Sequence, residues 1–185
     1  MANPTVTTDV LKLCTYNMHG YNNGRPLLEH LCSAYDVILL QEHWLPPGDL
    51  NKLNSINDEF NSFSVSSMEE KLSSGILVGR PFGGVAVLWK KHLSNYIKII
   101  DRDDRGRYIA FLFSHNNCNF LIHCVYFPCS ASSNEFVIDC SNLIAKIELN
   151  LINHSTINWR GTTILCAMMV YQGMIYLKVL SHVTI

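Results

Sequence analysis

The sequence has little charge and no excess of either sign. Only 16% of its 185 residues are charged, 14 Lys+Arg against 15 Asp+Glu, which excludes the strongly basic profile of a chain that binds nucleic acid by composition alone. A local basic patch remains open. There is no C-x-x-C pair, and the cysteines are odd in number, seven, at positions 14, 32, 118, 124, 129, 140 and 166. Set mostly inside apolar runs, they read as reduced core thiols of an intracellular protein, nuclear or cytoplasmic, rather than as a zinc site or disulfide frame. Residues 1–9 are polar and carry no apolar stretch, which argues against a secretory signal, and residues 1–8 read as a disordered N-terminus. Internal repeats and low-complexity tracts are absent. What is present suffices for one globular domain with a core of normal size: the length itself, 48% hydrophobic residues, and a mean hydropathy of +0.12.

The opening third reads as strand, helix, strand. Leu11 to Tyr16 alternates and stops at Asn17-Met18-His19-Gly20. After the Asn22-Asn23-Gly24 break, Pro26 suits a first helical turn, and Leu27, Leu28, Leu31, Cys32 and Tyr35 recur at helical spacing. Asp36 to Leu40 is a short apolar run of the kind buried on both faces, and it leads into Gln41-Glu42-His43-Trp44. Such a unit predicts a right-handed crossover in an α/β layer. Strand-like runs follow at Phe60 to Met68, Gly84 to Trp89, Tyr96 to Asp101, Arg107 to Phe113 and Phe120 to Phe127. Turn residues separate them, with His115-Asn116-Asn117 placed as a hairpin, so the middle predicts an antiparallel or mixed sheet.

Beyond Pro128, Ser132 and Glu135 are spaced as a capping box, and Phe136, Cys140, Leu143, Ile147 and Leu151 mark one face of a long helix. Thr163 to Cys166 is strand-like. Residues 167–185 form an atypical apolar tail without clear period; Gln172, Lys178 and His182 interrupt it and argue against a membrane span.

Chemistry is expected where core strands end, because the strand is rigid there and the adjoining loop is open. Asn17, Glu42 and Tyr126 occupy three such ends. A carboxylate directly after an apolar strand needs a partner, which for Glu42 is either a metal ion or a satisfying group such as Arg25 or a backbone amide. Asn17 alone reads equally as a turn residue. His19 and His43, nearby, read as packing or local hydrogen-bonding groups. Lys90, Lys91, Arg102, Arg105 and Arg107 could meet backbone phosphates, although Arg102 and Arg105 interleave with Asp101, Asp103 and Asp104 as in a self-neutralised turn.

Taken in order, strand-Asn17, helix, strand-Gln41-Glu42, Arg80 with Gly83-Gly84, Arg105-Gly106-Arg107 and Val125-Tyr126-x-Pro128 resemble the endonuclease/exonuclease/phosphatase superfamily. The segments TYNMHG, LLQEHWL and GRPFGGVAVLWKK are most similar to the endonuclease domains of long-interspersed-element (non-LTR) retrotransposons, over roughly residues 9 to 150. The resemblance implies a four-layer α/β sandwich of two packed mixed sheets with flanking helices, and metal-dependent hydrolysis of DNA phosphodiesters with magnesium, or manganese in its place. It implies Glu42 as direct metal ligand, Asn17 beside the metal and phosphate, and the Tyr126 hydroxyl at the scissile phosphate, with Arg80, Lys90, Arg105 and Arg107 as nucleic-acid contacts.

The resemblance stops short of two motifs. Family members carry an apolar strand ending in Gly-Asp-x-Asn and a terminal Ser-Asp-His segment with the catalytic base. Here Thr163 to Cys166 is followed by Ala167-Met168-Met169-Val170. Gly48-Asp49-Leu50-Asn51 matches only by letters and reads as the first turn of a short helix; Ser181-His182 lacks the intervening Asp. The expectation is an incomplete sandwich, a partial domain over 9–166, whose likeness ends near Cys166 as after a frameshift or retained intron. Two functions follow: a metal-dependent endonuclease, or an inactive remnant that binds nucleic acid or a partner.

Overall fold

The structure, a computed structural model, describes residues 11–69, 80–116, 118–127, 134–155, 161–171 and 174–179, the side chains of 134–136, 155 and 161–179 excepted. Strands β1 (Leu13–Asn17) and β2 (Val37–Gln41) are parallel and in register from Leu13 opposite Val37 to Asn17 opposite Gln41. Helix α1 (Tyr21–Ala34) crosses between them, as the spacing predicts. Strand β4 (Val85–Lys90) pairs antiparallel with both β2 and β3 (Phe60–Val65), which completes the order β1-β2-β4-β3.

The second sheet runs β5 (Ile97–Arg102), β6 (Tyr108–His115), β7 (Cys118–Tyr126), β8 (Gly161–Tyr171) and β9 (Met174–Val179). The hairpin around Asn116, whose φ is 49°, joins β6 and β7. Helix α2 (Asn134–Ser155) links the parallel pair β7 and β8. Its expected cap, Ser132, lies outside the described residues.

Alternation along the strands distributes the side chains between three cores. Val37 and Leu39 of β2 join Val85 and Val87 against Ile109, Phe111, Ile122 and Cys124 of the other sheet. Ile38 and Leu40, on the opposite face, pack with Ala86 and Leu88 under Leu28 and Cys32 of α1. Tyr108, Ala110 and Val125 meet Leu143 and Ile147 of α2. The result is helix, sheet, sheet, helix, the mixed α/β architecture with two packed sheets that the family resemblance implies.

Two expectations need correction. Helix α1 begins at Tyr21, not at Pro26, so Asn22-Asn23-Gly24 is its first turn. The start is fixed from outside: the Gly20 and Tyr21 N–H groups donate to the Glu42 and His43 carbonyls at 2.8 and 2.9 Å. Leu27 of the expected apolar face is exposed. Within the apolar tail, Ala167 to Tyr171 continue β8 and Met174–Val179 add an antiparallel strand along its edge, which supplies ladder partners to a strand that would otherwise present an open edge. Not all the thiols are fully buried core groups: Cys32 and Cys124 are buried, whereas Cys14, Cys118 and Cys140 are half-buried, and none of these five is in a disulfide.

A polar group that no local pattern announced lies beneath α2. The Tyr108 hydroxyl is 2.9 Å from His123 Nδ1, and Asn150 Nδ2 donates to the Tyr108 hydroxyl and to Asp101 at 3.1 and 2.8 Å. Lys146 adds an ion pair to Asp101 at 2.8 Å.

Gly24 shows how tightly α1 is set against the end of β1, because an added Cβ would lie 2.8 Å from the Met18 carbonyl oxygen. Alanine in a helix interior ordinarily exceeds glycine by about 1 kcal/mol. Here the sign should reverse: Gly24→Ala is expected to destabilise by about 1–3 kcal/mol through overpacking, measured by urea unfolding.

Candidate functional site

Parallel, in-register strands deliver their last residues to one rim. Asn17 ends β1 opposite Gln41, and Glu42 follows one residue on. The turns beyond are conformationally costly: His19, Glu42 and Trp44 have φ of 48°, 56° and 56°, where a non-glycine residue is strained by about 1–3 kcal/mol. Interlocking bonds hold them there. Met18 N–H donates to the Gln41 carbonyl at 2.9 Å and Trp44 N–H to that of Gly83 at 2.9 Å, while Gly20 lies so close beneath the Trp44 ring that an added Cβ would be 2.5 Å from Cε3.

Glu42 is buried, and its carboxylate is 3.3 Å from Nδ1 of His19, whose own side chain is 59% exposed. Arg25, a satisfying partner envisaged from the sequence, is bound to Glu29 at 2.7 Å instead. The Asn17 Oδ1 accepts the His19 N–H at 3.0 Å, and its Nδ2 is buried without a partner. An unpaired buried donor costs about 1–3 kcal/mol, so this amide lacks an acceptor that a ligand oxygen would supply.

Tyr126 ends β7 in the other sheet. Gln41, fully buried, donates from Nε2 to Thr15 Oγ1 at 2.9 Å and to Cys124 Sγ at 3.5 Å. Cys124 and Tyr126 share the inner face of β7, so Tyr126 stands one pleat, about 7 Å, beyond that contact toward the strand end. Its N–H donates to the Arg107 carbonyl at 2.8 Å, and the Arg107 guanidinium lies 5.4 Å from its ring centroid. One guanidinium nitrogen of Arg107 is buried without a partner.

The other basic residues divide. Arg80 is exposed at the start of the loop whose Gly83 meets Trp44. Lys90 is not at this rim: β4 runs antiparallel to β2, so Lys90 lies at the far end, about 16 Å along the strand from Val85, where it pairs with Asp36 at 2.8 Å. Lys91 follows it, its N–H donating to the Glu59 carbonyl. The segment from Asp101 to Arg107 is not a self-neutralised turn. Asp101 pairs with Lys146 and Arg105 with Asp139, both partners on α2. Asp103 accepts the N–H groups of Arg107 and Tyr108 at 2.7 and 2.9 Å. Arg102 ends β5, exposed.

Asp49 sits in the first turn of a 3-10 helix, Pro47–Leu53, paired with Lys52 at 2.8 Å, which agrees with the local reading of Gly48 to Asn51. Ser181-His182 lies outside the described residues. Sequence reasoning missed His19 as the partner of Glu42, and nothing in Asn-Met-His-Gly separates a contacting histidine from a turn residue. Among the described residues no group of three His, Cys, Asp or Glu side chains could hold a metal. The donor set at the rim is one carboxylate, beside an amide whose oxygen is already engaged. That suits magnesium or manganese only in the form that relies on waters and phosphate oxygens for the remaining ligands.

His43 has a structural role. Its Nδ1 accepts the Leu45 N–H at 3.0 Å and its Nε2 is 3.1 Å from the Val65 carbonyl, and burial pushes its pKa down to about 4.

A model of the endonuclease/exonuclease/phosphatase family matches residues 14–160. Among solved structures, the chain is similar to an AP endonuclease from Leishmania major, TM-score 0.63 at 12% identity, over 85% of this chain and 54% of that one. It is also similar to the 3′ phosphatase NExo from Neisseria bound to a product DNA hairpin, TM-score 0.56 at 14% identity, over 86% and 56%. The catalytic domain of human Nocturnin with a bound sulfate anion aligns at TM-score 0.51 and 12% identity, over 87% and 63%. The chain thus spans a little over half the length of the first two and less than two thirds of the third. No curated protein matches it.

The two deeply buried imidazoles, His43 and His123, set a pH dependence. Burial depresses both to about 4, whereas unfolded histidine titrates near 6.5. The unfolded chain therefore binds protons first on acidification. The stability these groups contribute is complete above about pH 6.5 and is lost as pH falls toward 4, about 3 kcal/mol for each. Urea unfolding across that window should show the decline, and His43→Gln should remove about half of it.

Proposed function

The chain belongs to the endonuclease/exonuclease/phosphatase family, and from that premise we propose that its rim is a nucleic-acid phosphodiester site that retains binding and has lost turnover. The ancestry we propose is the DNA endonuclease of a non-LTR retrotransposon, on the likeness of TYNMHG, LLQEHWL and GRPFGGVAVLWKK. The observation that carries the reading is the buried, unpartnered Nδ2 of Asn17 beside the buried Glu42 carboxylate. A lone structural carboxylate needs only a cation. A carboxylate beside an orphaned donor fits a cation with a phosphate oxygen attached.

In this reading Glu42 would hold magnesium or manganese, and the ion when bound would neutralise charge on the phosphate oxygens. Asn17 donates Nδ2 to a non-bridging oxygen and is kept in that orientation by the His19 N–H on its Oδ1. Tyr126 offers its phenol to the same phosphate, backed by the Arg107 guanidinium. Arg80 and Arg105 are more distant backbone contacts. DNA is the proposed partner; the Neisseria neighbour was solved with a DNA hairpin. Among the described residues no helix is long and apolar enough to cross a membrane.

Turnover also needs the polar groups of the Gly-Asp-x-Asn motif of the resembling family. The residues after Cys166 offer Ala167, Met168 and Met169 in its place, and losing a group that positions or transfers a proton removes about 10²- to 10⁴-fold in rate. The test combines calorimetry with plasmid nicking. Wild type should bind Mn²⁺ or Mg²⁺ and Glu42→Gln should not, while neither nicks supercoiled DNA above the metal-free control. Absence of metal binding in the wild type would remove the site. Glu42-dependent nicking would leave the site and overturn the loss of turnover.

A further inference from the structure

The two halves of the rim are built on different sheets, and the contact between those sheets is largely apolar. Apolar packing is non-directional. It holds the sheets together without fixing, at the scale of a hydrogen bond, where the Glu42 turn stands relative to the Arg107 and Tyr126 strand ends. A directional link is needed, and the Gln41 to Cys124 contact is a long bond to sulfur at 3.5 Å.

Ser67 supplies one. Its hydroxyl accepts the Gly84 N–H at 2.7 Å and donates to the Gly106 carbonyl at 3.3 Å. Both bonds leave its own loop, which Ser66 already secures by donating to the Leu45 carbonyl and accepting the Met68 N–H. Three left-handed glycines surround this serine. An added Cβ would lie 2.3 Å from Ser67 Oγ at Gly83 and 2.5 Å from Ser67 N at Gly106; at Gly84 it would lie 2.4 Å from the His43 ring. No side chain fits between the loops and the serine.

The bonds continue outward on each side. The Gly83 carbonyl accepts the Trp44 N–H, two residues from Glu42, and the Arg107 carbonyl, one residue from Gly106, accepts the Tyr126 N–H. We infer that Ser67 is a positioning residue whose hydroxyl sets the spacing between the Glu42 half and the Tyr126 half of the rim, so that one phosphodiester spans both. The functional meaning rests on the proposed phosphodiester site; the coupling itself does not.

The test is amide hydrogen exchange on the whole chain, compared with Ser67→Ala. Loss of the bridging hydroxyl should speed exchange at Gly84, Trp44 and Tyr126 together, by about tenfold for a lost hydrogen bond, while Leu39 and Phe111 in the core keep their protection. Gly106→Ala, which pushes the second loop off the serine, should speed Tyr126 and leave Gly84 protected. A change confined to Gly84, or uniform loss across the core, would overturn the coupling. In parallel, Ser67→Ala should weaken binding of a short DNA strand while leaving Mn²⁺ binding unchanged; equal loss of both, or of neither, would refute the spacing role. Failure of wild type to bind DNA would count against the site alone, since the exchange measurement uses neither metal nor DNA.

Discussion

The burial of β2 on both faces is the constraint from which the rim follows. All five of its residues are buried, with Val37 and Leu39 committed to the inter-sheet core and Ile38 and Leu40 to the layer beneath α1. A slip of one residue would exchange those faces. Gln41 then pins the register, since a buried amide without partners costs a few kcal/mol, and Thr15 and Cys124 supply its bonds only in the observed alignment. With Gln41 fixed, Glu42 is the first residue to leave the sheet, and it leaves beside Asn17.

The rim so formed is strained and unsatisfied. Left-handed backbone at His19, Glu42 and Trp44 persists because bonds from β2, α1 and Gly83 over-determine it. Unpaired buried donors remain on Asn17 at one side and on Arg107 at the other. A fold maintained for packing alone would be better served by apolar or paired groups at these positions. Their persistence is understandable if an anion is bound there.

Much of the layer architecture was legible in the sequence because it rests on local patterns. The apolar run before Gln41, the alternation in the middle strands and the stripe through Leu143 and Ile147 each report burial directly. What escaped depends on strand direction or distant partners. Lys90 closes the same strand that opens beside the rim, and only the antiparallel pairing of β4 with β2 sends it to the opposite end. The start of α1 is decided by carbonyls of residues 42 and 43 rather than by Pro26. The group of Asp101, Tyr108, His123 and Asn150 joins three strands and a helix, and no spacing rule connects them. For the site, Asn17, Glu42 and Tyr126 stood out as polar strand ends, but His19 and Ser67 carry no signal beyond their neighbours.

The convergence of side chains from both sheets on one cation-sized spot is the central claim, and paramagnetic broadening by Mn²⁺ in an NMR titration tests it most directly. The account predicts that sub-stoichiometric Mn²⁺ broadens resonances of Asn17, His19, Arg107 and Tyr126 while those of Asp36 and Lys90 at the opposite rim stay sharp. Broadening centred on Asp36 and Lys90, or broadening at Asn17 and His19 that leaves Tyr126 sharp, would contradict it.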